Sequence, residues 1–353
     1  MEPALLCVVG IALGCAALLN AGARLAWALL ASAIVFAVVV GDPFRLALAA
    51  QHFAEAATAP AWRLVPLLCW LAALLDETDA PSLARASSGA VVLALLADAL
   101  SLPWLDLLVA GAVPLLSVVL LRALWSWIRD PQPVRARVQL RGPAFALGLW
   151  RTLALGLWPI VVGIALALAL LWSGRASPAE SAALAAFAAG GSAWLRGALT
   201  VEGLQRSASS ALHSCGAIAA VWLGALCFEA ALRDAGIDSL SDAALALLGA
   251  GRAEVALGVL VSALVLGAAF HASEVALVLV PLAAPVAAQV GIDRLWLGAA
   301  LALVLHASAL PALSGPGRRD APRAARLAFP SLVAVAMFRW PELVHWLPEL
   351  VLS

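Results

Sequence analysis

A short polar cluster interrupts a long apolar stretch in the C-terminal half of the chain. His271, Ser273 and Glu274 lie between Gly267 and Pro281, where almost every other residue is apolar. A helix break at this point would leave backbone carbonyls free, and such a site can coordinate Na⁺ or a proton. An ordinary loop at the edge of an apolar layer would carry the same residues. The pattern therefore leaves two interpretations, an ion site and a simple loop.

Other ionisable residues also stand within or beside apolar runs. They are Asp98, Asp106, Glu180, Glu229, Glu254 and His306. An ionised side chain at the centre of a hydrocarbon layer costs at least ~2.5 kcal/mol, so each position is a candidate functional site. Glu180 follows Pro178 and precedes an alanine run, which favours a helix start with an acidic first turn. Glu229 is predicted to reach from a helix end to the outer interface.

A cluster of serines with one histidine lies at the start of the apolar run 211–232. Its members are Ser207, Ser209, Ser210, His213 and Ser214. Hydroxyl groups at the beginning of a helix accept hydrogen bonds from its first backbone N–H groups. We therefore expect these residues to cap a helix rather than to bind a ligand.

The motifs of soluble enzymes are missing from the sequence. It contains no GxxxxGK[ST] loop for nucleotide phosphates, no HExxH and no paired-cysteine spacing for a metal. The five cysteines mostly lie inside apolar runs, as small buried hydrophobic residues do. We expect no enzymatic activity, no cofactor and no resident metal.

The composition defines the elements that must position the polar residues. Of 353 residues, 64% are hydrophobic and 12% are charged, and the 21 acidic residues balance 21 basic ones, all of them arginine. Soluble domains are about half apolar and about a quarter charged. The balance of charge also excludes a basic nucleic-acid-binding surface and a disordered chain. The sequence therefore predicts an all-α, polytopic integral membrane protein.

A helix that crosses a bilayer needs about 20 mostly apolar residues, and such runs recur along the whole chain. We predict about 9–12 transmembrane or re-entrant helices, some of them interrupted. The candidate runs are 4–22, 25–40, 61–75, 88–102, 104–125, 152–172, 181–198, 211–232, 254–270, 274–290, 295–311 and 327–347. Prolines at 281, 285, 311 and 316 are predicted to break the runs between 271 and 317.

Arginine placement predicts orientation and a division into two halves. Residues 122–151 form the only long polar stretch and are rich in arginine, which favours the cytoplasm. The acidic loop at 234–242 is then predicted to lie outside. We expect an N-terminal membrane half at 1–121, a cytoplasmic linker at 122–151 and a C-terminal membrane half at 152–353.

Four stretches of the chain carry motif-like patterns: Ser177–Ala182, Gly267–Asp293 with Pro281 and Pro285, Pro311–Gly315, and Pro341–Pro348 after Phe329-Pro330. In this order they resemble the patterns P-T-E-A-A, G-M-F-x-D … P-x-x-x-P … G-I-D, T-P-P-V-G and P-E-L-x-x-W-L-P. These patterns belong to the large membrane subunit of tripartite ATP-independent periplasmic (TRAP) transporters, the DctM-type permease, which the chain therefore resembles. His271 stands where the family has an aspartate, Val304 where it has an asparagine, and Ser308 where it has a glycine. The N-terminal half is divergent and shorter than in typical members.

The resemblance implies an elevator-like permease of the ion transporter superfamily in the bacterial inner membrane. It implies sodium-coupled uptake of an organic acid, such as a C4-dicarboxylate, with a small TRAP membrane subunit and a periplasmic solute-binding protein as partners. Half-helix N-termini favour a carboxylate, and unwound carbonyls favour Na⁺. Three predicted helix breaks are therefore the candidate sites for solute and ion. Their residues are Ser88, Gly89, Gly267, His271, Ser273, Glu274, Pro311, Ser314 and Gly315.

Two alternatives to this function remain at the level of sequence. The chain is either a degenerate family member with a scaffold or regulatory role, or a permease of the same superfamily that works without a binding protein. The eroded Pro311–Gly315 motif motivates the first alternative.

Overall fold

The regular structure of the chain is helical, as the apolar runs predict. A computed structural model describes residues 2–39, 51, 53–55, 57–58, 60–77, 81–129, 158–195, 197–248, 251–309 and 332–352. Within these ranges every regular element is a helix, and none is a strand. The predicted all-α membrane fold is confirmed.

The helices follow the predicted runs closely. In the N-terminal part they are α1 (Glu2–Asn20), α2 (Leu25–Val39), α3 (Pro60–Glu77), α4 (Pro81–Ala99) and α5 (Trp104–Arg129). Next come α6 (Trp158–Trp172), α7 (Pro178–Leu195), α8 (Val201–Asp234) and α9 (Ile237–Leu248). The chain continues with α10 (Arg252–Ala269), α11 (Ala272–Gln289), α12 (Arg294–Ala309) and α13 (Glu342–Leu352), and residues 332–339 are also helical.

Three helices are long and apolar enough to cross a membrane: α8, α10 and α11. α8 has 34 residues, which gives about 51 Å at ~1.5 Å per residue, more than the ~30 Å hydrocarbon core requires. Shorter apolar segments within α1, α2, α4, α5, α6 and α12 accompany them. The count of 9–12 membrane helices stays a prediction, because among the described residues only these three have the length and composition of a membrane span.

The helices pack in pairs around a few cores. α3 and α4 form a tight hairpin, and α8 packs on α2, α3 and α11. The largest core joins α4 and α5 to α11 and α12, with fully buried Leu96, Leu107 and Leu301. Residues from both sides of the predicted linker therefore share one core. α5 continues to Arg129, and the rest of the linker lies outside the described residues, so the division into halves stays a prediction.

The close approach of α8 to α2 depends on a glycine. A Cβ atom at Gly224 would lie 2.8 Å from the carbonyl oxygen of Ala26 and 3.3 Å from Cβ of Leu29. Transmembrane helices associate largely through van der Waals packing, which small residues permit. Gly224 therefore sets the distance between α8 and the N-terminal helices.

Three of the sequence predictions about helix continuity are wrong. Pro281 and Pro285 do not break the chain but lie inside the continuous helix α11. A proline removes one helical hydrogen bond, and a transmembrane helix tolerates this because neighbouring groups satisfy the freed carbonyls. The acidic segment after Asp234 is not simply a loop, because α9 occupies most of it with Asp238 in its first turn. The run 327–347 is interrupted near Trp340 and Pro341.

Candidate functional site

A cavity of about 680 Å³ opens where five helices meet. α3, α4, α8, α11 and α12 contribute to its wall, which combines apolar residues with an unusual number of polar ones. The polar lining residues are Asp76, Ser88, Ser210, His213, Ser214, His271, Ser273, Glu274 and His306. A volume of this size, within roughly 300–1,000 Å³, is typical of small-molecule sites.

One face of α8 supplies a polar wall. Ser210, His213, Ser214, Ala217 and Ile218 line the cavity. They are spaced by three, four, seven and eight residues from Ser210, so they share one helical face. The serines and the histidine therefore present side chains to the cavity.

The prediction that this cluster caps a helix is wrong. α8 begins at Val201, and its N-cap is Thr200, whose hydroxyl accepts a hydrogen bond from the backbone N–H of Gly203 at 3.1 Å. The cluster begins more than one turn further along the helix. The spacing of Ser210, His213 and Ser214 was the signal that could have identified a helical face.

The N-terminus of α11 forms a second wall. Phe270 and His271 have extended backbone conformations and separate α10 from α11, which pack against each other. Glu274 accepts a hydrogen bond from the backbone N–H of His271 at 3.0 Å, and its carboxylate lies 3.5 Å from Nδ1 of His271. The start of α11 carries partial positive charge and faces the cavity through Ser273 and Glu274. The predicted break between Gly267 and Glu274 is therefore present.

The other two predicted breaks have different outcomes. Ser88 and Gly89 line the cavity but lie inside the continuous helix α4, so the predicted break there is wrong. Gly89 is needed instead because His306 approaches it closely. Pro311, Ser314 and Gly315 lie outside the described residues. Gly267 lies within α10, two residues before its end, and does not line the cavity.

Asp76 and the residues of α8 and α12 extend the site beyond the sequence prediction. Asp76 stands one residue before the end of α3, and His306 in the last turn of α12. Three of the five histidines in the chain thus line one cavity. His306 was identified from sequence as an ionisable residue in an apolar run, whereas the position of Asp76 depends on the α3–α4 hairpin.

The cavity lining in the described residues includes no arginine. The α11 N-terminus adds partial positive charge, and Asp76 and Glu274 add carboxylates. The hydrogen-bonding capacity comes from hydroxyl, imidazole and carboxylate groups. No cluster of three histidine, cysteine or acidic side chains with metal-binding geometry occurs in the part of the chain that the structure describes. The size and polar lining of the cavity suit a small polar solute.

Three of the remaining ionisable candidates, Glu180, Glu229 and Asp98, have structural partners. Glu180 accepts hydrogen bonds from the backbone N–H and hydroxyl of Ser177 at 2.7 and 2.9 Å, which confirms its role at a helix start. The Ser177 N–H lowers the pKa of the Glu180 carboxyl, because the hydrogen bond stabilises the ionised form. Glu229 pairs with Arg233 on the next turn of α8. Asp98 accepts a hydrogen bond from the indole of Trp62 at 3.1 Å.

A multi-pass bundle of apolar helices around a polar cavity is an architecture that membrane transporters use. Residues 86–311 match the family described as "Tripartite ATP-independent periplasmic transporter, DctM component". The match covers more than half of the chain, so the protein belongs to this family, whose members are transporter components rather than enzymes. It begins beside Ser88 and Gly89 and spans both sides of the predicted linker. A search of curated proteins finds no matching relative.

Proposed function

We propose that the chain is the large permease subunit of a TRAP-type secondary transporter in the bacterial inner membrane. It takes an organic acid of the C4-dicarboxylate kind from a periplasmic binding protein and moves it inward together with sodium. The family supports the general role. The observation that carries the proposal is the cavity of about 680 Å³, whose wall joins the α11 N-terminus to the hydroxyl-bearing face of α8.

The start of α11 is suited to a carboxylate. Helix N-termini present backbone N–H groups and partial positive charge, which stabilise anions. Glu274 accepts a hydrogen bond from one of these N–H groups, that of His271. Ser273 adds a hydroxyl to the cavity wall beside the same helix start. A solute carboxylate would therefore bind at this helix start, since the described wall offers no arginine.

The end of α10 is suited to sodium. The last carbonyls of a helix, which here include that of Gly267, have no helical N–H donor and can coordinate a hard cation. Discontinuous helices in secondary transporters bind coupling ions in the same way. Sodium is therefore the expected coupling ion, and Gly267 would bind it through its backbone carbonyl oxygen.

The proposal includes two protein partners and a moving unit. The family supports a small TRAP membrane subunit and a periplasmic solute-binding protein in general terms. The hairpin-like helix pairs α3–α4 and α10–α11 contact each other through α4 and α11, which both line the cavity, and would move as an elevator-like transport unit. The remaining helices would serve as the scaffold.

Reconstituted transport tests this function. The purified chain is placed in proteoliposomes with its small subunit, and loaded binding protein is added outside with an inward sodium gradient. We expect uptake that requires both the gradient and the binding protein. Uptake that ignores sodium would refute the coupling. Uptake without binding protein would support a binding-protein-independent permease, and no uptake in the complete system would support a scaffold role.

A further inference from the structure

His306 has a fixed position at the edge of the cavity. It lies in the last turn of α12, and its side chain lines the cavity. Nδ1 lies 2.6 Å from the backbone carbonyl oxygen of Ala302, one turn earlier on the same helix. Because a carbonyl oxygen only accepts hydrogen bonds, Nδ1 carries the proton of this contact. That bond fixes the plane of the ring, and the other nitrogen is directed away from α12.

The other side of the ring meets α4. A Cβ atom at Gly89 would lie 2.5 Å from Nε2 of His306 and 3.0 Å from its Cδ2. No side chain fits at position 89 unless the imidazole moves. Gly89 lies within a regular helix and its φ is not positive, so the contact rather than the backbone conformation requires glycine.

The contact joins two elements of the proposed transport site. α4 carries Ser88 on the cavity wall next to Gly89, and α12 leads toward the segment that contains Pro311. α12 also packs against α11, whose N-terminus forms another part of the cavity wall. The imidazole therefore determines how far Ser88 stands from the start of α11.

We propose that His306 is a positioning residue, which holds α4 against α12 and thereby sets the place of Ser88 in the solute site. The inference rests on the proposed function for its transport role. The His306–Gly89 contact itself does not depend on that function. The resemblance to the family does not assign this position.

A double-mutant cycle on stability tests the contact. Gly89→Ala and His306→Ala are made singly and together, and thermal unfolding of the purified protein is measured. Gly111→Ala serves as a control, because its Cβ would meet only Leu93 Cδ2 at 4.0 Å. We expect Gly89→Ala to lower the unfolding temperature only while His306 is present. Additive effects of the two changes, or a loss equal to that of Gly111→Ala, would overturn the contact.

Uptake kinetics test the positioning role. Variants that fold and reach the membrane at wild-type levels are compared in the reconstituted system. We expect Gly89→Ala and His306→Ala to raise the half-saturation concentration for solute about tenfold, with a smaller change in maximal rate. His306→Gln keeps an N–H donor for Ala302 and should recover part of the affinity. Wild-type half-saturation in both alanine variants would refute the positioning role, whereas absent wild-type uptake would refute the proposed function instead.

Discussion

Replacing Gly224 by alanine should distinguish two effects on stability, the packing of α8 against α2 and the helix propensity of α8. Gly224 and Gly216 lie on the same helix, but a Cβ at Gly224 would come 2.8 Å from the Ala26 carbonyl oxygen, whereas nothing lies within 4 Å of one at Gly216. The atom that the new Cβ would meet belongs to the backbone of α2, so it cannot rotate away as a side chain can. Overpacking of this kind costs about 1–3 kcal/mol. Alanine regains about 1 kcal/mol over glycine inside a helix.

The two variants should therefore move in opposite directions. Gly216→Ala is expected to be neutral or stabilising by up to about 1 kcal/mol. Gly224→Ala should lose up to about 2 kcal/mol, a change of roughly 30-fold in the unfolding equilibrium. Thermal unfolding of the purified protein in one detergent measures both. Equal shifts for the two alanines would refute the argument that α8 and α2 are in direct contact at Gly224.

Two further side-chain contacts should affect the stability of the protein to different extents. Trp62→Phe removes the indole donor at 3.1 Å from Asp98 and should destabilise the protein by about 1–3 kcal/mol, because the carboxylate stays partly buried without that partner. Asp98→Asn keeps an acceptor and should cost less in the same unfolding measurement. Arg206→Gln removes two hydrogen bonds to the Glu77 carboxylate, at 3.2 and 3.1 Å, across α8 and α3. Since Arg206 is 63% exposed, its effect on unfolding should be small and should vanish at high salt; an effect that persists there would contradict a screened ion pair.

The helices could be predicted from sequence because apolar length is a local property. Most predicted runs agree with helix bounds to within a few residues, as at α2, α10 and α12. The failures also have local causes. Pro281 and Pro285 predict helix breaks, although neighbouring groups allow a transmembrane helix to continue through proline. The start of α8 was placed too late because its first turns contain serines and an arginine.

The site could be predicted only in part, because a cavity is a property of tertiary contact. The polar interruption at His271–Glu274 was visible in the sequence as a break in an apolar run, and the structure places a helix start there. Asp76 gave no such signal, and the spacing of His213 from Ser210 indicates only a shared helical face. They reach the same cavity only because α3 and α8 pack against each other and against the other cavity helices. At Gly89 the sequence predicts a helix break, whereas glycine is needed there because the imidazole of His306, on a distant helix, lies against it.

The central claim is that the cavity carries the solute, and a pair of adjacent serines tests it most directly. Ser210 lines the cavity, whereas Ser209 is exposed and does not line it. Solute uptake by Ser210→Ala and Ser209→Ala is compared in proteoliposomes at matched protein levels. Loss of one hydrogen bond of about 0.5–1.5 kcal/mol should raise the half-saturation concentration of Ser210→Ala roughly 2- to 12-fold. Ser209→Ala should remain at the wild-type value. Identical half-saturation for the two variants would contradict a transport role for this cavity.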